Sequence, residues 1–109
     1  MAHHLGEFEI VTRRDGDRAS AVVALRGEFD LHGAGMLAER MADLIDWDVP
    51  AIEIDASEVT FIDSSGIKAL LDARQAAHEA GVDFSVGSAS DRFVRVARVT
   101  GVSDLLLPG

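Results

Sequence analysis

The chain contains no cysteine, and its 10 lysines and arginines are outnumbered by 19 aspartates and glutamates. Without cysteine, disulfides and thiolate metal sites are excluded. The net charge of −9 disfavours nucleic acid or an anionic membrane surface as a partner, because both require a basic surface. The first residues lack the pattern of a secretory signal, and no apolar run reaches the roughly 20 residues of a membrane span. These absences predict a cytoplasmic protein with neither a nucleic-acid nor a membrane partner.

The composition is that of a folded globular protein, with 48% apolar and 27% charged residues among 109. This length allows one domain with a single core. Internal repeats, low-complexity tracts and linkers are absent. We therefore predict a single domain over residues 1–109, with its core over about residues 8–107.

The hydrophobic pattern predicts strands and helices in the order β-β-α-β-α-β-α. The first two strands, residues 8–14 and 21–25, are predicted to form a hairpin through the Asp15-Gly16-Asp17 turn. The later elements begin with a helix ended by Val49-Pro50 and a strand at 51–56 that has one solvent-exposed face. A helix to about Ala80 follows and is stopped by Gly81. The last two elements are a strand at 82–86 and a helix at 91–100 that is closed by Gly101. Right-handed crossovers make the last three strands parallel. The chain beyond residue 103 is predicted to be a short tail.

Residues 60–71, TFIDSSGIKALL, join the end of an apolar strand to the start of an amphipathic helix. Functional groups in open α/β sheets commonly lie beyond the carboxyl ends of the strands. Asp63 or Ser64 suits the N-cap of this helix, and Gly66 permits the close approach of another backbone. The residues alone leave open whether the turn is only a cap, because the second serine and the glycine exceed what a cap needs.

Catalysis by one of these serines is disfavoured. A nucleophile elbow has glycines two residues before and after the serine, and neither Ser64 nor Ser65 has both. As a base, His78 would lie about three turns along the helix, and His32 has no evident acid to orient it. Phosphate-binding and calcium-binding loop patterns are also missing. We predict a non-enzymatic protein with no catalytic residue, no metal site and no cofactor.

Charge is unevenly distributed along the chain. Residues 28–58 contain nine acids and one base, Arg40, whereas Arg92, Arg95 and Arg98 lie at three-residue steps on the last helix. Both sets of charged residues are explained if they lie on surfaces exposed to solvent. The alternative is a protein partner that presents a basic docking surface to the first helix.

Two motifs carry a resemblance to a known family. Residues 62–67, IDSSGI, resemble the phosphorylation motif of STAS domains, a family that includes the bacterial anti-sigma factor antagonists. Residues 26–30, RGEFD, are similar to the Gly-Glu-Leu-Asp of that family, with Phe29 in place of leucine. Lys68 departs from the small residue or arginine common there, which leaves open which partner is preferred. The resemblance implies a STAS fold: an α/β domain with a mixed four- to five-stranded sheet and three to four helices.

The resemblance also implies site residues and partners. The phosphate acceptor would be Ser65, and the kinase would be an anti-sigma factor with a histidine-kinase-like ATPase fold. A serine phosphatase would reset the switch. The turn after the second strand would border the turn after the third, which places Asp30 beside the site. The implied partner-binding residues are Asp30, Asp63, Ser64, Gly66 and Ile67.

On this interpretation the chain is a monomeric anti-sigma factor antagonist. Its unphosphorylated form would bind the anti-sigma kinase and free a sigma factor, and phosphorylation of Ser65 would end that binding. Two alternatives keep the same fold without a phosphorylation cycle: a STAS subunit that docks on a lipid-transport ATPase, and a scaffold of a large stress complex. A small serine hydrolase is the third alternative.

Overall fold

The computed structural model describes residues 8–15 and 20–107. Its strands are β1 (Phe8–Asp15), β2 (Ser20–Phe29), β3 (Ala51–Ile62) and β4 (Asp83–Ala89). Its helices are α1 (Leu31–Asp46), α2 (Ser64–Glu79), α3 (Asp91–Val99) and α4 (Ser103–Leu106). In this part of the chain, none of the helices is long and apolar enough to cross a membrane.

The four strands form one mixed sheet in the order β1-β2-β3-β4. β1 is antiparallel to β2, whereas β2, β3 and β4 are mutually parallel, as predicted. The two crossovers advance in the same direction along the sheet, so right-handed connections place α1 and α2 on the same face. The two helices pack against each other there.

The core lies between the sheet and its helices. Ile52, Ile54 and Ala56 of β3 are buried in it, while the alternating Glu53 and Asp55 are only half-buried, which confirms the predicted wet face. Buried residues of α1 and α2 join the same hydrophobic cluster, together with Phe93 of α3 and Leu106 of α4.

Three strands extend further than their sequence pattern indicates. β3 runs to Ile62 rather than residue 56. β2 continues through the RGEF segment to Phe29, although we expected that segment to end the strand. Gly27 has φ of 94°, and the pairing of β2 with β3 shifts register on either side of it. This irregularity interrupts the simple alternation of side chains, which is why the pattern underestimates the strand. β4 likewise runs to Ala89 rather than residue 86.

Local chemistry explains where two of the helices end, whereas a fourth helix forms where we expected none. Gly81 and Gly101 have φ of 74° and 79° and follow α2 and α3, where glycine stops were predicted. The fourth helix, α4, lies in the segment that we expected to be a short tail. Its Leu106 is buried in the core, and this tertiary contact orders a segment too short to form a helix alone. Gly16 and Asp17 of the predicted hairpin turn lie outside the described residues.

Candidate functional site

The candidate site lies at the carboxyl edge of the two central parallel strands. Phe29 of β2 pairs with Ile62 of β3, so Asp30 and Asp63 follow at equivalent positions on neighbouring strands. Each aspartate is the N-cap of the next helix. Oδ1 of Asp30 accepts from the backbone N–H of His32 at 3.0 Å, and Oδ1 of Asp63 accepts from that of Gly66 at 3.1 Å. The structure therefore brings the GEFD and DSSG motifs together, as the resemblance implied.

The capping role falls to Asp63 rather than to either serine. Ser64 is exposed and Ser65 is half-buried in the first turn of α2. Neither hydroxyl group makes a hydrogen bond to another residue in the described part of the chain. The backbone N–H groups of this first turn are among those that have no partner within the helix. The two serines thus form a hydroxyl-rich turn at the positive end of a helix dipole, and the cap does not need them.

Gly66 lies against the end of β2. A Cβ atom added to Gly66 would stand 2.5 Å from the carbonyl oxygen of Phe29 and 2.8 Å from Cγ1 of Ile62. Ile67, the next residue, is 5% exposed and belongs to the core. We expected a partner to pack over Gly66 and Ile67, but both face inward. Both residues pack beneath the site. Gly66 is needed there because only a glycine lets α2 begin this close to β2.

Two exposed apolar side chains flank the site, and the sequence analysis missed both. Leu31, the first residue of α1, is 74% exposed, and Phe61, the penultimate residue of β3, is 40% exposed. Each carries a signal in the sequence. Leu31 is out of helical phase with the buried Leu37, and Phe61 alternates with the buried Ile62. Contiguous apolar patches mark interaction surfaces, whereas Leu31 and Phe61 are single exposed side chains.

A groove of about 710 Å³ extends from the site between α1 and α2. Leu31 and Ser65 line one end of the groove, and Asp46 and Ala76 line the other. Ser65 therefore belongs both to the DSSG turn and to the lining of this groove. The predicted phosphate acceptor therefore lies at one end of this groove.

Both histidines lie on other helical turns than the serine pair. His32 is exposed at the start of α1, and its backbone contacts Asp30, while His78 lies in the last turn of α2, far from the serines. Within residues 8–15 and 20–107, no group of three or more histidine, aspartate or glutamate side chains could hold a metal ion. The serine pair lies at the start of α2 directly after Asp63, and Asp30 follows the end of the neighbouring strand β2.

Comparison with known proteins decides the family. The family model described as "Mlab, STAS domain" matches residues 12–108, nearly the whole chain. The chain belongs to the STAS domain family. This STAS domain is distantly related to anti-sigma factor antagonists. It is 27% identical over 96 residues to the anti-sigma-B factor antagonist of Listeria monocytogenes, covering 88% of this chain and 82% of the relative.

Solved structures show the same STAS fold. An anti-sigma factor antagonist from Mycobacterium paratuberculosis has a TM-score of 0.80 at 24% identity, over 97% of this chain and 88% of the other. The anti-sigma factor antagonist SpoIIAA in its unphosphorylated form has a TM-score of 0.75 at 19% identity, over 93% and 88% of the two chains. At these identities the likeness establishes the fold alone.

Proposed function

We propose that this STAS domain is a cytoplasmic, non-enzymatic anti-sigma factor antagonist whose binding is switched off by phosphorylation of Ser65. The unphosphorylated form binds an anti-sigma factor with a histidine-kinase-like ATPase fold and so releases a sigma factor. The kinase supplies ATP and Mg²⁺, and a separate serine phosphatase restores the unphosphorylated form. The domain acts as a monomer.

The observation that carries the proposal is the position of Ser65. Its hydroxyl group takes no part in capping α2, it lies half-buried at the helix start, and it lines the end of the α1–α2 groove. A serine with no structural hydrogen bond, accessible at a surface edge, is free to accept a phosphate. The distant relationship to anti-sigma factor antagonists supports the same role.

Electrostatics explain how such a phosphate would act as a switch. It adds about −1.5 to −2 charges at neutral pH, and the N-terminus of α2 accommodates negative charge without loss of the helix. A partner in contact with the site would have to desolvate that charge or withdraw. Asp30 and Asp63, which cap the two adjacent helices, add repulsion toward any anionic group of the partner. The fold is retained while the partner is released.

The decisive experiment compares Ser65→Ala and Ser65→Asp as baits in the lysate of the organism that encodes this chain. We expect wild type and Ser65→Ala to retain a histidine-kinase-like ATPase, and Ser65→Asp to lose it. The purified ATPase with ATP should then phosphorylate wild type at Ser65, as located by mass spectrometry. Ser64→Ala is the matched control and should still be phosphorylated.

Other outcomes would assign a different function. A transporter ATPase retained equally by the wild-type and Ser65→Asp baits would make the serines docking groups without a phosphorylation cycle. Elution as a large particle in gel filtration would favour a stress-complex scaffold. Labelling of Ser64 or Ser65 by a fluorophosphonate probe would favour a serine hydrolase. Each of these results would replace the proposed switch.

A further inference from the structure

The α1–α2 groove has the form of a binding site for an extended partner element. Both helices follow parallel strands and run in the same direction, so their first residues lie at one end of the groove. α1 has 16 residues, and at 1.5 Å per residue it makes the groove roughly 20 Å long. Ser65 and Leu31 lie at the end nearest the site. Exposed residues line the groove from Leu31 to Asp46, so the groove is partly open to solvent.

The groove walls are formed by apolar side chains, most of them small. Ala34, Ala38 and Ala42 line it from α1, and Ala69 and Ala73 line it from α2. Such short side chains allow the apolar residues of an approaching helix to reach the groove floor. Amphipathic helices bind hydrophobic grooves in this way, with anchors on one helix face.

The border of the groove is acidic. Asp46 lines it directly, and helical geometry places the exposed Glu39 and Asp43 next to Asp46 along the same side of α1. None of these three carboxylates forms an ion pair among the residues described. On α2 the one base of the lining, Lys68, is already paired with Asp72 at 2.9 Å. The border therefore favours a partner with positive charge.

We propose that the groove binds a basic amphipathic helix of the anti-sigma partner. The apolar face of that helix lies on the alanines, and its lysines or arginines lie along Glu39, Asp43 and Asp46. A helix of about 13 residues matches the groove length. This inference rests on the proposed function and adds the surface through which it operates. A phosphate on Ser65 would stand at one end of the groove, where its bulk and the cost of desolvating it would oppose packing of the apolar face of the helix.

The first test fills the groove. Ala38 is exposed within it, so Ala38→Leu should leave the fold intact while it blocks the bound helix. Ala80→Leu, the same change at the exposed C-cap of α2 outside the groove lining, is the matched control. We expect Ala38→Leu to weaken binding to the purified histidine-kinase-like ATPase about tenfold or more, as an overpacked interface does. Ala80→Leu should bind within about twofold of wild type.

The second test locates the partner segment. Because the chain has no cysteine, one introduced cysteine carries one photo-crosslinker. The cysteine of Ala38→Cys lies in the groove. The cysteine of Ser85→Cys lies at an exposed position of β4 outside the groove lining. We expect ATPase crosslinks from Ala38→Cys alone, to a segment with basic residues flanking an apolar stripe.

Each contrary outcome has its own meaning. If Ser65→Asp abolishes binding of the ATPase while Ala38→Leu binds it as wild type does, the groove is not the binding surface. The proposed function would then still stand. If none of the purified histidine-kinase-like ATPases of the organism binds wild type, the proposed function and this inference both fail. A change in sedimentation of the free Ala38→Leu variant would assign the groove to a second copy. A co-purified apolar molecule lost from that variant in native mass spectrometry would assign the groove to a small ligand.

Discussion

Two aspartates at equivalent strand ends organise the residues of the site. Asp30 and Asp63 each leave the sheet, each adopt an extended backbone, and each accept a hydrogen bond from the first turn of the helix that follows. Their carboxylates are therefore engaged in folding as well as being placed beside Ser65. Because Asp63 meets the need for a cap, the two serines that follow it are free for another role.

Gly66 sets the distance between α2 and the end of β2. We expect Gly66→Ala to destabilise the protein by about 1–3 kcal/mol, because the added Cβ atom would clash with the Phe29 carbonyl oxygen and the Ile62 side chain. Urea unfolding followed by circular dichroism measures this change. The clash involves backbone, which a side-chain rotation cannot relieve.

Gly35→Ala is the matched control for that experiment. Gly35 lies inside α1, and a Cβ atom added there would have no neighbour within 4 Å. We expect this substitution to stabilise the protein by about 0.5–1 kcal/mol, because alanine loses less backbone entropy in a helix. Equal effects of the two substitutions would show that Gly66 is not a close-approach position.

At the scale of elements, a single serine attaches α3 to the sheet. Oγ of Ser90 donates to the carbonyl oxygen of Val59 in β3 at 2.7 Å and accepts from the backbone N–H of Phe93 at 3.2 Å. The backbone N–H of Ser90 also donates to Ala56 at 3.0 Å. Phe93, fully buried, then packs into the core. Ser90 thus attaches the start of α3 to β3, and the apolar side of α3 is buried in the core.

We expect Ser90→Ala to cost about 1–2 kcal/mol, because it removes both an N-cap and a hydrogen bond to β3. Urea unfolding gives the free energy, and amide hydrogen exchange should show faster exchange in α3. Ser85→Ala, at an exposed position of β4, is the control and should stay within about 0.5 kcal/mol of wild type. Wild-type stability for Ser90→Ala would mean that burial of Phe93 alone holds α3.

The whole molecule carries its charge asymmetrically. Acids predominate along residues 28–58, whereas the exposed Arg92, Arg95 and Arg98 lie on α3. These arginines have no ion-pair partner within residues 8–15 and 20–107. An asymmetric field of this kind steers a charged partner toward one side of the molecule.

We therefore expect the association rate with the anti-sigma partner to fall about tenfold as the salt concentration rises from low values to 0.5 M. Stopped-flow measurements test this, and the dissociation rate should change less. Asp43→Asn on α1 should lower the association rate at low salt, while Asp91→Asn on α3 should leave it unchanged. An association rate that rises with salt would show that the partner presents an acidic surface instead.

The sequence by itself determined what local chemistry controls. Periodicity specified three parallel strands with their helices, and glycines 81 and 101 marked where two of those helices end. The DSSG and GEFD motifs indicated where the candidate site lies. These features were predictable because caps, turns and alternating side chains act over only a few neighbouring residues.

Tertiary structure decided the features that depend on contacts between distant segments. The bulge near Gly27 interrupted the alternation that would have shown the full extent of β2, and burial of Leu106 ordered α4. Packing turned Gly66 and Ile67 inward, although we expected both to meet a partner. The groove that Ser65 lines depends on how α1 and α2 pack against each other, and alanines of both helices line it. Such features follow from strand register and from the distance between helices, neither of which acts within one segment.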